Sequence, residues 1–135
     1  MMSNLDDSQK SRPVIMVVDA DPHVRKLAGH FLTDAGYQVE YALDGYEALG
    51  KAKKNPPAVI LLELIIPKLN GLSLCRLLKT DPATQNIRVV VLSVLISEKG
   101  AQIAGADAFL SKPIEKTRLV DAVSKVVKPT RDTLL

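Results

Sequence analysis

The sequence has little cysteine and no long apolar run. Cys75 is the only cysteine among 135 residues, so no internal disulfide can form, which is consistent with the reducing cytosol. We interpret it as a small buried hydrophobe on a helix. No apolar run approaches the roughly 18–20 residues that span a bilayer, and residues 1–12 lack the apolar core of a signal peptide. We therefore expect a cytoplasmic protein that does not enter a membrane.

A concentrated basic surface is also missing. The formal net charge is +3, but the lysines and arginines are spread along the chain. The densest cluster, Lys51, Lys53 and Lys54, falls at the end of a predicted helix, where cations suit the helix dipole and a solvated face. We therefore expect no nucleic-acid binding.

The composition favours one globular domain. Of all residues, 47% are hydrophobic and 24% are charged, and a chain of this length can build its own core. We expect the folded domain to span residues 13–127, with disordered tails at 1–12 and 128–135. No attached output domain is expected.

Strand and helix patterns alternate five times along this domain. Short apolar and β-branched runs predict strands, and apolar residues recurring every three to four positions predict helices. The predicted strands cover residues 14–18, 37–42, 58–64, 88–93 and 108–110, and the predicted helices lie at 22–36, 44–54, 71–80, 97–104 and around 119–127. The alternation implies parallel strands joined by right-handed crossovers, and hence a three-layer α/β sandwich.

Polar side chains stand where four of the predicted strands end. They are Asp19 and then Asp21 after the first strand, Glu63 at the third, Ser93 at the fourth and Lys112 after the fifth. Ligands of open parallel sheets bind beyond the carboxyl ends of the strands, so we expect these side chains to share one crevice. Acids hold a hard cation such as Mg²⁺ through oxygen, while a hydroxyl and an ammonium suit a phosphoryl group. The set fits phosphoryl transfer to a carboxylate, or electrostatic imitation of the phosphorylated state.

Four motifs point to a known family. They are Val17-Val18-Asp19-Ala20-Asp21-Pro22, Leu61-Leu62-Glu63-Leu64 with Pro67 and Asn70-Gly71, Val91-Leu92-Ser93, and the run from Gly105 to Pro113. Together they resemble the receiver domain of two-component response regulators over residues 13–127. The resemblance implies a flavodoxin-like (βα)5 three-layer sandwich with a parallel sheet in the order 2-1-3-4-5. It also implies a phosphoacceptor aspartate in the third strand, phosphorylated by a histidine kinase with Mg²⁺.

The resemblance assigns roles to individual positions. Glu63 falls on the phosphoacceptor position, and Ser93 on the position that contacts the phosphoryl group and moves on activation. Lys112 falls on the phosphoryl-binding lysine, and its bond to Pro113 is expected to be cis, as the family suggests. Phe109 falls on the switch aromatic, with simple core packing as the alternative.

The sequence departs from the family pattern in three places. Glu63 is one methylene longer than aspartate, which moves the carboxylate by about 1.5 Å, and misplacements of about 1 Å can slow a reaction ~10²-fold. Ala20 stands where a second metal-binding acid is usual, and Asp21 is expected to cap a helix instead. The metal site of Asp19, Asp21 and Glu63 is therefore expected to be weak or lost, and Mg²⁺ to bind weakly.

The third departure is the segment from Ser93 to Gly105, which is shorter than usual. It carries Val94-Leu95-Ile96 where polar residues are typical. This run is either a docking or dimer patch or part of the packing under the predicted helix at 97–104.

Three interpretations of Glu63 stay open at this point. Glu63 is a working phosphoacceptor in the first. In the second, its charge imitates the phosphorylated form by reaching toward Lys112 and Ser93. In the third, it is a tolerated relic: it has no remaining role, in a binding module whose state phosphorylation no longer controls. Pairing of Lys112 with Glu63 or Asp19 is expected in every case and is no evidence of catalysis. The two departures at Glu63 and Ala20 together favour impaired or absent phosphorylation.

Two other protein classes fit the sequence less well. A flavodoxin-like ligand-binding protein needs a phosphate loop rich in Ser, Thr and Gly after the first strand, and residues 20–25 are not one. A small phosphatase needs a segment that encloses its substrate, for which the chain has no room. We expect a signalling module and no enzyme, one that contacts a histidine kinase or a downstream target. The expected surface combines the predicted helix at 97–104, the fifth strand and the last helix, and a homodimer through it is an alternative.

Overall fold

A parallel sheet lies between two layers of helices. The computed structural model describes residues 12–94 and 104–127. The tails predicted to be disordered, apart from Arg12, and the helix predicted at 97–104, apart from Ala104, lie outside the described residues. The elements in chain order are β1 (Val14–Val18), α1 (Pro22–Asp34), β2 (Gln38–Ala42), α2 (Gly45–Lys54), β3 (Val59–Leu62), α3 (Gly71–Thr80), β4 (Arg88–Ser93), β5 (Ala108–Ser111) and α4 (Lys116–Val127).

The five strands are all parallel and lie in the order β2-β1-β3-β4-β5. This confirms the predicted flavodoxin-like topology. In the register of the sheet, Val18 at the end of β1 pairs with Ala42 on one side and Leu62 on the other. The carboxyl ends of the central strands therefore lie level with one another, and the residues that follow them come out at one edge of the sheet.

Alternating residues of the central strands feed two separate cores. Met16 and Val18 face α2 and α3, while Ile15 and Val17 face α1 and α4. All four of these side chains are buried. Both faces of the sheet are covered, as a parallel sheet requires, because its strands are near-continuous apolar runs.

The third strand is shorter than predicted. The sequence pattern predicted residues 58–64, but β3 ends at Leu62. Leu64 and Ile66 remain buried beyond it, with 5% and 8% of their surface exposed. These apolar side chains pack on the core from a loop, so their burial does not require a continued strand.

The first three helices begin within one residue of the predicted start, and α4 begins at Lys116, before the predicted 119. Asp21 caps α1 with Pro22 at its first position, and Asp44 and Asn70 cap α2 and α3 in the same way. Each capping side chain accepts a hydrogen bond from a backbone N–H of the first turn, which would otherwise lack a partner. The apolar stripe of α1 is only partly buried, because Leu27 is 42% exposed.

Cys75 lies in α3 and is fully buried. Its thiol donates to Ala104 O at 3.4 Å, and burial raises the pKa of the Cys75 thiol to about 11. The thiol is therefore protonated at neutral pH, as expected for a cysteine that serves as a small hydrophobe. Among the described helices, none has both the length and the apolar character that crossing a membrane requires.

Candidate functional site

Four strand ends bring the predicted site residues together. Asp19 follows β1 and Glu63 follows β3, with Glu63 N donating to Val18 O at 3.0 Å. Ser93 is the last residue of β4, and Lys112 N donates to Ser93 O at 3.0 Å. The convergence expected from the sequence is therefore present, because the strands are parallel and in register at this edge.

Glu63 lies at the centre of the group and only 5% of it is exposed. Its Oε1 lies 2.7 Å from Lys112 Nζ. Its Oε2 accepts a hydrogen bond from the Ser93 hydroxyl and a second from Ile65 N at 3.1 Å. Both carboxylate oxygens are therefore engaged by donors, as a buried charge requires.

Lys112 joins Glu63 to the first strand. Its Nζ also lies 2.9 Å from Asp19 Oδ2, so one ammonium bridges two carboxylates. The side chain of Lys112 is 15% exposed, and those of Asp19 and Glu63 are 6% and 5% exposed. The peptide bond from Lys112 to Pro113 is cis, as the resemblance implied.

The contact between Glu63 and Lys112 shifts the pKa of both side chains. Burial alone would raise the pKa of Glu63, but the hydrogen bonds from Lys112, Ser93 and Ile65 together with the Lys112 charge hold it below its ordinary value. Burial alone would lower the pKa of Lys112, but its hydrogen bonds to Glu63 and Asp19 and their charges raise it. Both groups are therefore charged near neutral pH.

The cap residue of α1 and a side chain of α1 each donate a hydrogen bond to Asp19. Asp19 Oδ1 accepts from Asp21 N at 2.9 Å, and the backbone oxygen of Asp19 accepts from Arg25 Nη1 at 2.6 Å. Sequence reasoning missed Arg25. The available signal was a cation one turn into the helix that follows the acid, from where a long side chain reaches back to the strand end.

The side chains at this site do not form a suitable set of ligands for a divalent metal ion. Ala20 brings no carboxylate to the site. Asp21 is exposed, and its Oδ1 accepts from His23 N at 2.9 Å in capping α1. Within residues 12–94 and 104–127, no three His, Cys, Asp or Glu side chains are arranged as a metal-binding group. The donors present therefore do not suit Mg²⁺, which prefers an octahedron of oxygens.

Two further residues singled out in the sequence lie in β5 and directly after β4. Phe109 in β5 is half-buried and packs against the core on the α2 and α3 side of the sheet. Val94 is 61% exposed at the end of β4, and the two residues that follow it in the predicted apolar patch lie outside the described part of the chain.

The loop from β3 to α3 is fixed against the start of α2. Gly45 N donates to Pro67 O at 3.3 Å, and Lys68 Nζ lies 3.6 Å from Asp44 Oδ2. Gly45 also lies so close to Leu69 that a Cβ atom at Gly45 would sit 2.5 Å from Leu69 O. The chain leaving Glu63 therefore follows a path set by α2, a contact that sequence reasoning did not find.

Comparison with known sequences finds similar proteins. The sequence profile of the response regulator receiver domain matches residues 15–124. Protein PilG of Pseudomonas aeruginosa is 32% identical over 112 residues, which cover 81% of this chain and 83% of PilG. Response regulator PleD of Caulobacter vibrioides is 36% identical over 122 residues, which cover 87% of this chain and 26% of PleD. The chain thus spans about a quarter of PleD.

Comparison with solved structures gives the same fold. The chemotaxis response regulator CheY4 of Vibrio cholerae superposes with a TM-score of 0.81 at 28% identity, over 86% of this chain and 99% of CheY4.

Proposed function

Because this chain belongs to the response regulator receiver domain family, we propose that it signals through protein contacts without efficient phosphoryl transfer at Glu63. Membership of the family places the chain in two-component signalling. Receiver domains are in general signalling modules, and we propose that this one has no catalytic activity of its own. The cytoplasmic location expected from the sequence remains part of the proposal.

One observation carries the proposal. The Glu63 carboxylate contacts the Ser93 hydroxyl and the Lys112 ammonium at the same time. A hydroxyl and an ammonium are the groups that suit the oxygens of a phosphoryl group. Glu63 therefore gives Ser93 and Lys112 an anionic partner without phosphorylation. Because pairing with Lys112 is expected under every interpretation of Glu63, it is the additional contact with the Ser93 hydroxyl that supports imitation of the phosphorylated form.

The same contacts oppose attack on a phosphodonor. Oε1 of Glu63 faces Lys112 Nζ at 2.7 Å, and Oε2 already accepts two hydrogen bonds. A nucleophilic oxygen has to leave such donors before it attacks, and donors that lower the pKa of a carboxylate also lower its basicity. The Glu63 carboxylate is also displaced by about one carbon–carbon bond, near 1.5 Å, from the position of an aspartate carboxylate, which further disfavours attack.

The test is the intact mass of the protein after incubation with acetyl phosphate and Mg²⁺. We expect no gain of a phosphoryl group by the wild-type chain. The matched positive control is the double variant Ala20→Asp with Glu63→Asp, which restores both acids of the family pattern and is expected to gain one acid-labile phosphoryl group. A stable gain by the wild-type chain contradicts the proposal and restores the ordinary phosphorelay function.

The proposed partners are signalling proteins, either a histidine kinase or a downstream target. The described part of the predicted contact surface contains a groove of about 350 Å³ between β5 and α4. Phe109 and Val126 contribute apolar surface to it, and Arg118, Asp121 and Lys125 contribute charges of both signs. Such a mixture suits a transient protein contact. A second copy of the chain is the alternative occupant, and sedimentation equilibrium over a range of protein concentrations distinguishes the two.

A further inference from the structure

The site contains its own cations. The Lys112 ammonium lies 2.9 Å from Asp19 Oδ2 and 2.7 Å from Glu63 Oε1. The Arg25 guanidinium adds a second positive charge, 2.6 Å from the backbone oxygen of Asp19. Lys112 is therefore the cation that contacts both buried carboxylates, and Arg25 holds the backbone beside one of them. The exposed Asp21 carboxylate lies in the cap of α1.

Each carboxylate oxygen of Asp19 and Glu63 also has at least one partner. Asp19 Oδ1 accepts from Asp21 N, and Asp19 Oδ2 and Glu63 Oε1 face Lys112. Glu63 Oε2 accepts from Ser93 and Ile65. Mg²⁺ requires near-octahedral oxygen ligands at about 2.0–2.1 Å. To bind between the two acids, it would have to displace the Lys112 ammonium, which lies against an oxygen of each.

The cost of that displacement is electrostatic. Lys112 is largely buried, and a buried ammonium separated from its carboxylates becomes an uncompensated charge. A divalent ion beside Arg25 and Lys112 would also be repelled by two positive groups in a region of low dielectric. Ala20 supplies no further carboxylate to offset either effect.

We propose that Lys112 is the resident cation of this site and, with Arg25, takes the place of a divalent metal ion, so that the chain holds its functional conformation without Mg²⁺. The inference concerns the metal and does not depend on the partner or the phosphoryl chemistry proposed above. It assigns to Lys112 the role of counter-ion for Asp19 and Glu63 in the resting protein.

Thermal unfolding with and without MgCl₂, at equal ionic strength, tests the inference. With about 10 mM MgCl₂ we expect the Tm of the wild-type chain to change by less than about 1 °C, since a ligand that does not bind the folded state does not stabilise it. Lys112→Met removes the charge and keeps much of the length, leaving two carboxylates without their shared cation. We expect its Tm to be lower than that of the wild type and to rise by about 4 °C with the same MgCl₂.

Two further variants show whether the response to Mg²⁺ depends on the positive charge at position 112. Lys112→Arg keeps the positive charge and is expected to stay insensitive to Mg²⁺. Lys116→Met is the matched control, because Lys116 pairs at 3.1 Å with the exposed Asp34, away from the site, and its Tm is expected to be insensitive to Mg²⁺ as well.

Each outcome decides the inference. A wild-type Tm that rises by several degrees with Mg²⁺ overturns it, and so does a Lys112→Met variant that folds and ignores Mg²⁺. If Lys112→Met does not fold in either buffer, titration of the wild-type chain with Mn²⁺, followed by electron paramagnetic resonance, decides instead. Binding with a Kd below about 1 mM overturns the inference, because the stabilisation at cellular metal concentrations would then be appreciable, and weaker binding supports it. A wild-type chain that binds Mg²⁺ but takes up no phosphoryl group would overturn this inference and leave the proposed function standing.

Discussion

Glu63 is one methylene longer than the aspartate of the family pattern, and its carboxylate is surrounded by hydrogen-bond donors. The longer side chain reaches Ser93, Lys112 and the backbone N–H of Ile65. These are three donors for one buried charge, which explains how the carboxylate is tolerated with only 5% of the residue exposed. Glu63 is thus an anion held in place by neighbours that the strand ends supply.

Removal of the Ser93 hydroxyl tests this description. Ser93→Ala leaves Glu63 Oε2 with Ile65 N as its remaining donor and takes a hydroxyl out of a fully buried position. Hydrogen bonds to charged groups contribute about 2 kcal/mol to stability, so we expect the free energy of unfolding to fall by about that amount in urea titrations. Ser124→Ala on α4 is the control, and is expected to change it by less than about 0.5 kcal/mol. Equal effects of the two substitutions would show that the hydroxyl does not hold the carboxylate.

The sequence predicted the site at residue scale because strand ends can be read from apolar runs. Asp19, Glu63, Ser93 and Lys112 each follow or end such a run, and parallel strands bring them together. Arg25 was missed because the reach of a long side chain from a helix back to a strand end leaves no periodic signal. The metal role suggested for Asp21 stays untested, and its cap geometry shows that its carboxylate has another partner.

At the scale of elements, the start of α2 fixes the loop that leaves the site. Asp44, the cap of α2, pairs with Lys68, and Gly45 N donates to Pro67 O. Lys68 has a φ of 73°, a left-handed conformation that is uncommon outside glycine. The close approach of Leu69 to Gly45 leaves no space for a side chain there. Contacts of this kind depend on three-dimensional packing between distant segments, so the sequence pattern gave no indication of them.

Two glycines of α2 provide a matched test. Gly45→Ala places a Cβ 2.5 Å from Leu69 O and 2.6 Å from Leu69 Cβ, so either the loop or the helix start has to shift. Overpacking of this kind costs about 2 kcal/mol, which urea unfolding would register as a lower free energy of unfolding. Gly50→Ala has no atom within 4 Å of the new Cβ and is expected to stabilise the protein by about 1 kcal/mol, because alanine favours helices. A destabilising Gly50→Ala or a neutral Gly45→Ala would contradict the contact.

At the scale of the whole molecule, the topology was predictable and the exact lengths of its strands were not. Alternating strand and helix patterns were enough to predict a parallel sheet between two helical layers. The order β2-β1-β3-β4-β5 was implied by the resemblance to the receiver family, and the structure has that order. The extent of β3 was predicted wrongly, since Leu64 and Ile66 are buried in a loop and look like a continued strand in the sequence. The interpretation of Glu63 required the distances to Ser93 and Lys112, which no sequence pattern contains.

The bridge between Glu63 and Lys112 gives the folded protein a pH dependence with two limits. The pKa of Glu63 is lowered from its ordinary value of 4.5, so its contribution to stability is present above pH 4.5 and is lost as the pH falls through the lower folded value. The pKa of Lys112 is raised above its ordinary value of 10.5, so its contribution is present below pH 10.5 and is lost as the pH rises through the higher folded value. The bridge therefore stabilises the protein between these two limits.

Comparison of the wild type with Glu63→Gln isolates the acid limit. Near pH 7 we expect the variant to be less stable by about 2 kcal/mol, because it keeps the shape of Glu63 and loses the charge that Lys112 and Ser93 bind. Below pH 4.5 the difference should shrink, since protonated Glu63 is neutral like glutamine. Asp44 and Glu47 also have lowered pKa values, but both proteins contain them, so their effects cancel in the difference. The difference between the two proteins is measured as free energies of unfolding from urea titrations between pH 7 and about pH 3. A difference that stays constant over this range would mean that the Glu63 charge does not stabilise the fold.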